Sequence, residues 1–535
     1  MRRWNGWGDE SEEAHVGAGG LDLLAATLGR GTPPVDAALA QVVASVPQSR
    51  LGAAAGEGLS VDPELRVRRA RGQSFPDLIA LRSGRLEAVP DAVAQPADGA
   101  AVRRVIDLAR ERGARLVPYG GGTSVVGGVS VRRLPDPVIT VDLGGLGGVS
   151  ALDERSGLVT AGSGTTGPDL AAQLATRGLT IGHEPQSFEL ATVGGWVAAR
   201  GSGLRSHGVG RIEQLFAGGT LEAPAGTLEM APFPASAAGP DLRQLVLGSE
   251  GRLGILTDVV LRAMPLPEVD GMQAWALPGW AAGVEAVRAI AQARTGLSVL
   301  RLSTPAESRT LLAFADRPSQ IRTLTRYLRV RRQPSDWALL LTGVAGRRRL
   351  AKAAHDEAAS IIGRHGGVRI PSLAKAWSRT RFRSPYLRNT LWTMGYGSDT
   401  LETATDWSRV PGLLERLEAA VAGALAPWGE QVHAFTHLSH LYPSGSSLYL
   451  TFIFRLAPDP DDTLERWRAI KRAASSVIAT GGATITHHHG VGADHAAYLA
   501  AEKGPLGMAA LESIVRTFDP EGIMNPGILL SDRHA

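Results

Sequence analysis

Arg115-Leu-Val-Pro118 reads as a short strand that runs straight into Tyr119-Gly-Gly-Gly-Thr-Ser124, and a strand opening into three glycines narrows the folds available to the chain. Glycine takes φ > 0 and lets the backbone approach a ligand closely, so several N–H groups can converge on one anion. The loop therefore reads either as a phosphate cradle or as a tight structural turn. No lysine follows at Walker spacing, which argues against a nucleoside-triphosphate loop.

The surroundings are those of an α/β layer. From Asp98 to Gly113, Val102, Val105, Ile106 and Ala109 recur at helical spacing, and Gly113 suits the C-terminal cap. Val138–Leu143 and Gly157–Ala161 read as further strands, and Pro168–Arg177 as a helix with proline in its first turn. Gly162-Ser-Gly-Thr-Thr-Gly167 matches G-x-G-x-x-G after a strand, with Glu184 near the distance of a ribose-binding acid. The chain lacks the run of βαβ units that a Rossmann fold needs, so this match is set aside. Prolines at Met264-Pro-Leu-Pro-Glu268 mark a boundary, beyond which arginine and tryptophan become more frequent.

A chain of 535 residues exceeds one compact core. With no cysteine, thiolate zinc sites, iron–sulfur clusters and cysteine nucleophiles are excluded, so redox chemistry must come from a bound organic cofactor. The formal charge of +4 arises from interleaved acids and arginines, as in Asp107-Leu-Ala-Arg-Glu-Arg112, which is a solvated helix face and no nucleic-acid stripe. No stretch reaches the about 18 to 20 apolar residues of a membrane helix, and Met1-Arg-Arg-Trp4 leads no apolar signal run. A cytoplasmic protein is the expectation.

Read together, several segments resemble the vanillyl-alcohol-oxidase (PCMH-type) superfamily, and within it the alkyldihydroxyacetonephosphate synthases. They are Pro118–Ser124, His183-Glu-Pro-Gln-Ser-Phe-Glu-Leu-Ala-Thr-Val-Gly-Gly-Trp196, Ala199-Arg-Gly-Ser202, Gly248-Ser-Glu-Gly-Arg-Leu-Gly-Ile255, Trp4-Asn-Gly-Trp-Gly8, Pro385-Tyr-Leu-Arg388 and Thr486-His-His-His-Gly-Val-Gly492. Their shared order, closing on Asn525-Pro-Gly527, makes the resemblance specific. It implies an α+β protein: a two-subdomain FAD-binding domain, then an α/β substrate cap whose C-terminal segment returns to the flavin. On that plan residues 1–86 are a partly helical lead-in, 87–266 the FAD domain, 267–480 the cap, and 481–535 the histidine loop and FAD-facing end.

Carried over by resemblance, FAD meets Pro118, Tyr119, Gly120, Gly121, Gly122, Thr123 and Ser124, then Gln186, Ser187, Phe188, Glu189, Leu190, Ala191 and Thr192. Ala199, Arg200, Gly201 and Ser202 form the third contact, and Glu250, Gly251, Arg252, Leu253, Gly254, Ile255 and Leu256 the fourth. Some members tether FAD through a histidine where Thr123 stands, so noncovalent FAD is expected. The implied reaction exchanges the acyl chain of acyl-dihydroxyacetone phosphate for a fatty alcohol through a flavin N5 adduct, without net redox change. Tyr449 matches the catalytic tyrosine, though a phenol acts as a base only beside a cation or hydrogen-bond donor. Arg388 matches the substrate arginine, Arg301 a further functional arginine, and His487, His488 and His489 the histidine triplet. Extended backbone would send His487 and His489 to one face and His488 to the other.

His433, His437 and His440 would share a face on a helix, as zinc ligands might be arranged, but Val432–His440 reads as a strand and no acidic ligand accompanies it, so no metal is expected. The alternative function is an FAD-dependent 2-hydroxyacid dehydrogenase. Its branch carries a metal-binding H-x-G-D-G-N-x-H, whose acid, asparagine and final histidine are missing from His437–Tyr449. The expected partners are an acylated, phosphate-bearing small molecule and a fatty alcohol. A fatty substrate is compatible with peripheral membrane contact, and the assembly with a homodimer.

Overall fold

A computed structural model describes residues 1–52, 58–315, 317–371, 373–374 and 381–531. The first sheet joins β1 (Leu59–Ser60), β2 (Ala92–Ala94), β3 (Arg115–Tyr119) and β4 (Val138–Asp142) in the order β1-β2-β4-β3, with β2, β4 and β3 parallel. Its covering helix is Gly99–Arg112, where Asp98 caps the first turn at 2.6 Å and Gly113 closes the last in the left-handed region. Val102, Val105, Ile106 and Ala109 are the buried stripe, as the spacing predicts.

The second sheet is antiparallel throughout: β5 (Val149–Asp153), β6 (Leu158–Gly162), β8 (Phe216–Ala223), β9 (Gly226–Met230) and β10 (Ile255–Arg262), ordered β5-β6-β10-β8-β9. The G-x-G-x-x-G match follows β6 into the helix Gly167–Ala175, yet an antiparallel sheet is no dinucleotide fold. Arg103 ties the two sheets, pairing with Glu222 and donating to the Ala223 carbonyl. A two-strand ribbon, β7 (Leu179–Thr180) with β11 (Met264–Pro265), edges this half.

The third sheet gathers many of the candidate residues. It comprises β12 (Val269–Leu277), β13 (Val299–Ser303), β14 (Ala338–Gly346), β15 (Val368–Arg369), β16 (Tyr396–Asp406), β17 (Val432–Leu441) and β18 (Gly445–Arg455), ordered β15-β12-β14-β13-β17-β18-β16. Strand alternation sorts its faces. Leu448, Leu450, Phe452 and Phe454 of β18 are fully buried against the helices Val410–Gly423 and Pro460–Thr480. Each such side chain contributes roughly 1.5–3 kcal/mol of burial. On the opposite face the register sets Glu402 beside Tyr449, Tyr449 beside His437, and His437 beside Ser303. Polar groups thus form one row across four strands, flanked by the helices Ala18–Leu28 and Pro318–Val330.

The C-terminal segment returns to the first sheet. Met524 bridges Leu116 of β3, and the Asn525 amide donates to the Gly128 and Glu250 carbonyls at 3.0 and 2.6 Å. No helix among the described residues is long and apolar enough to cross a membrane.

Candidate active site

The first glycine loop lies against the 187–192 stretch. A Cβ at Gly121 would stand 2.0 Å from the Leu190 carbonyl oxygen, and one at Gly120 2.5 Å from Thr192 Oγ1. Gly122 has φ +63, the left-handed conformation glycine tolerates. Thr192 caps the helix Val193–Ala198, and Ser124 accepts from Gly128 N–H at 2.9 Å. Arg200 and Glu250 both adopt positive φ, of 52° and 51°, so the third and fourth stretches turn at these two residues.

Beside these loops several polar atoms are buried without a hydrogen-bond partner: Ser163 Oγ, both ring nitrogens of His183, Trp196 Nε1 and Ser202 Oγ. Burial pushes His183 down to about 3, so its ring is neutral and offers one donor and one acceptor. Buried polar groups left unpaired are costly. A ligand rich in donors and acceptors answers this set, and the residues present fit FAD.

The histidine loop is organised by an acid that sequence reasoning missed. Glu402, 1% exposed on β16, accepts from the main-chain N–H groups of His487, His488 and His489 at 2.7, 2.9 and 2.9 Å, and from the Thr486 hydroxyl at 2.7 Å. Its carboxylate also lies 3.3 Å from His488 Nδ1 and 3.8 Å from the Nδ1 atoms of His487 and His489. Burial alone would raise it, but the surrounding histidines override that and hold it well below the usual carboxylate range. Three N–H groups aimed at one carboxyl require a bent chain, so the expected alternation of His487 and His489 against His488 does not hold. His487 and His488 instead bring their Nδ1 atoms to 3.0 Å, and His489 meets the Tyr449 ring edge-on at 5.5 Å.

The same loop is gripped from the other side. Glu250 accepts from Val491 and Gly492 N–H at 2.6 and 2.8 Å. Desolvation outweighs these two donors and pushes it up to about 7. Arg211 adds a bond of 2.8 Å to the His487 carbonyl, and Tyr442 OH lies 2.6 Å from His487 Nε2.

Tyr449 projects into the row, its hydroxyl 3.3 Å from Thr400 Oγ1 and its ring stacked on His437 at 4.8 Å. Desolvation pushes the phenol up to about 12. Arg301 donates to Glu307 at 2.8 Å and lies 3.2 Å from His437 Nδ1. Burial would raise Glu307, but Arg301 and His437 hold it down at about 2. Arg388 donates to the Gln73 and Ser398 carbonyls at 2.7 and 3.2 Å, with Asp399 at a looser 3.5 Å. The three β17 histidines do not converge: His433 meets Thr310, His437 meets Glu307, and His440 meets Ser206 at 2.6 Å. His440, at a bulge with φ +48, instead joins His487 and His488, their ring nitrogens within 4.8 Å of one another. Glu402 and Glu307 left one local trace, an acid placed within or beside a strand, but nothing in the sequence names their partners.

Comparison with known proteins agrees with this architecture. Residues 90–231 match the FAD binding domain family, and residues 266–529 match the C-terminal domain of FAD linked oxidases. The alkyldihydroxyacetonephosphate synthase of Trypanosoma brucei brucei is 28% identical over 485 residues, covering 88% of this chain and 78% of that protein. The Caenorhabditis elegans synthase is 29% identical over 486 residues, covering 87% and 80%. Glycolate oxidase subunit GlcD of Bacillus subtilis is 25% identical over 457 residues, covering 82% and 89%. A solved alkyldihydroxyacetonephosphate synthase shares the fold with a TM-score of 0.82 at 23% identity, over 98% of both chains. The chain carries the FAD-binding and C-terminal domains of FAD-linked oxidases and is a flavoenzyme of the alkyldihydroxyacetonephosphate synthase type.

Proposed function

We propose that the chain exchanges the acyl chain of acyl-dihydroxyacetone phosphate for a fatty alcohol, without net redox change. The observation that carries this reading is the row Glu402, Tyr449, His437, with the histidine triplet folded over it, in the fold of a synthase. FAD, when bound, supplies an electron-poor ring that activates the carbon bearing the acyl group. The main chain of Gly120–Ser124 holds its phosphates and residues 186–192, 199–202 and 250–256 the remainder, without a covalent tether, since Thr123 is no flavin-linking residue.

At about 12, Tyr449 stays protonated at neutral pH and serves as a hydrogen-bond donor to the departing carboxylate. His489, kept neutral by burial, offers a ring nitrogen that can accept a hydrogen bond, and it is the base candidate at C1 once a bound anion restores its basicity. Glu402 positions both by fixing the loop. The edge of Arg388 held only loosely by Asp399 is the one a phosphate oxygen takes, and a guanidinium suits that anion. Arg301 acts through His437, which stacks on the tyrosine. The fatty alcohol brings the protein, a cytoplasmic one, to a membrane surface.

The rival is oxidation of a 2-hydroxyacid, favoured by the likeness to the glycolate oxidase subunit. Anaerobic absorbance spectra of the FAD-loaded enzyme separate the two. A flavin that stays oxidised with D-lactate, glycolate and D-2-hydroxyglutarate, while acyl-dihydroxyacetone phosphate perturbs its spectrum, supports exchange. Full bleaching by any of these hydroxyacids refutes it.

A further inference from the structure

Beside the first glycine loop, a cavity of about 320 Å³ opens between the N-terminal residues 1–4, the helix Pro63–Arg68 and Tyr119. Arg2, Arg3, Arg68, Arg69 and Arg71 line it, against Glu64 as the sole acid of the lining among the described residues. Two of these charges are answered by carboxylates, Arg68 by Glu64 and Arg69 by Asp142, each at 2.8 Å. Arg71 stands at 4.0 Å from Asp77. Arg3 donates only to the Glu10 and Glu12 carbonyls, at 3.3 and 3.4 Å, and Arg2 to the Gly121 carbonyl. The cavity therefore holds positive charge in excess, on guanidinium forks that match phosphate oxygens. The buried amide oxygen of Gln73 has no hydrogen-bond partner, so the wall also offers an acceptor for a hydroxyl. A volume of 320 Å³ lies at the low end of the roughly 300–1,000 Å³ of small-molecule sites, suiting a head group and not an acylated chain.

We infer that this cavity binds a small phosphate-bearing anion at a site separate from the reacting centre. Two of its residues touch the first glycine loop: Arg2 holds the Gly121 carbonyl, and Gln73 N–H donates to the Ser124 carbonyl at 2.7 Å. The inference does not rest on the reaction proposed above.

Titration calorimetry on the FAD-loaded enzyme tests it, with inorganic phosphate and glycerol phosphate as probes at constant ionic strength. Saturable binding is expected, weakened at least tenfold in Arg3→Gln, whose side chain pairs with no carboxylate and whose loss leaves the flavin spectrum intact. Tighter binding of glycerol phosphate identifies a phosphate ester as the ligand, and equal binding identifies free phosphate; both uphold the site. No saturable binding, affinity unchanged in both Arg3→Gln and Arg69→Gln, or binding confined to FAD-free protein overturns it, the last by assigning the cavity to the cofactor itself.

Discussion

Two carboxylates hold the histidine loop from opposite halves of the molecule, and they are not alike. Glu402, from the cap sheet, takes four hydrogen bonds and sits among three imidazoles, so it stays ionised. Glu250, from the FAD half, takes two main-chain bonds with no cation to balance its desolvation, and it titrates near 7. The number of hydrogen-bond donors and the nearness of the imidazole cluster decide which burial cost is overcome. One acid fixes where the histidines point. The other joins the loop to the FAD domain and can let go of a proton near neutrality.

The largest effect that would break this comparison is Glu402→Ala. Removing one partner from a buried charged network costs roughly 3–5 kcal/mol and strands three N–H groups. Denaturant titration should show a loss of that size, and turnover should vanish while flavin content persists. Flavin loss with turnover per bound flavin unchanged would transfer the cofactor-side role to Glu402.

Glu250→Gln should cost less, about 1–2 kcal/mol, because the amide still accepts one of the two bonds. Its main signature is pH dependence. The folded pKa of Glu250 is raised from 4.5 to about 7, so its contribution is full below 4.5 and is lost as pH rises through 7. Melting temperature measured from pH 4.5 to 7.5 should therefore fall less steeply in the variant. Identical slopes would remove Glu250 as the titrating group. Glu402 carries the opposite sign, with stability present above 4.5 and lost as pH drops below it. Smallest of all, Thr486→Val deletes one of the four bonds to Glu402 and should cost roughly 0.5–1.5 kcal/mol, with turnover kept within a fewfold. A loss as large as that of Glu402→Ala would mean the hydroxyl, not the carboxylate, sets the loop.

What was legible in the sequence was local. The helix Gly99–Arg112 follows from four apolar positions and a glycine cap, and β17 from its alternation, one residue longer than expected at Leu441. The Gly120–Ser124 loop announced itself because its backbone conformation is written in residue type. The histidine loop did not, since its shape is imposed by Glu402, about 85 residues away in sequence. Arg388 was recognisable by resemblance, yet its strongest bond goes to Gln73, 315 residues distant, which no local pattern encodes. Glu307 lies 130 residues from His437, which hid that pairing, although Arg301 is only six residues away.

The most direct test of the account is product analysis by mass spectrometry after anaerobic incubation of the FAD-loaded enzyme with palmitoyl-dihydroxyacetone phosphate and hexadecanol. The account predicts an alkyl ether product and palmitate released in equal amounts, with no electron acceptor added. Palmitate without ether, or ether formed only when an acceptor is supplied, would contradict it.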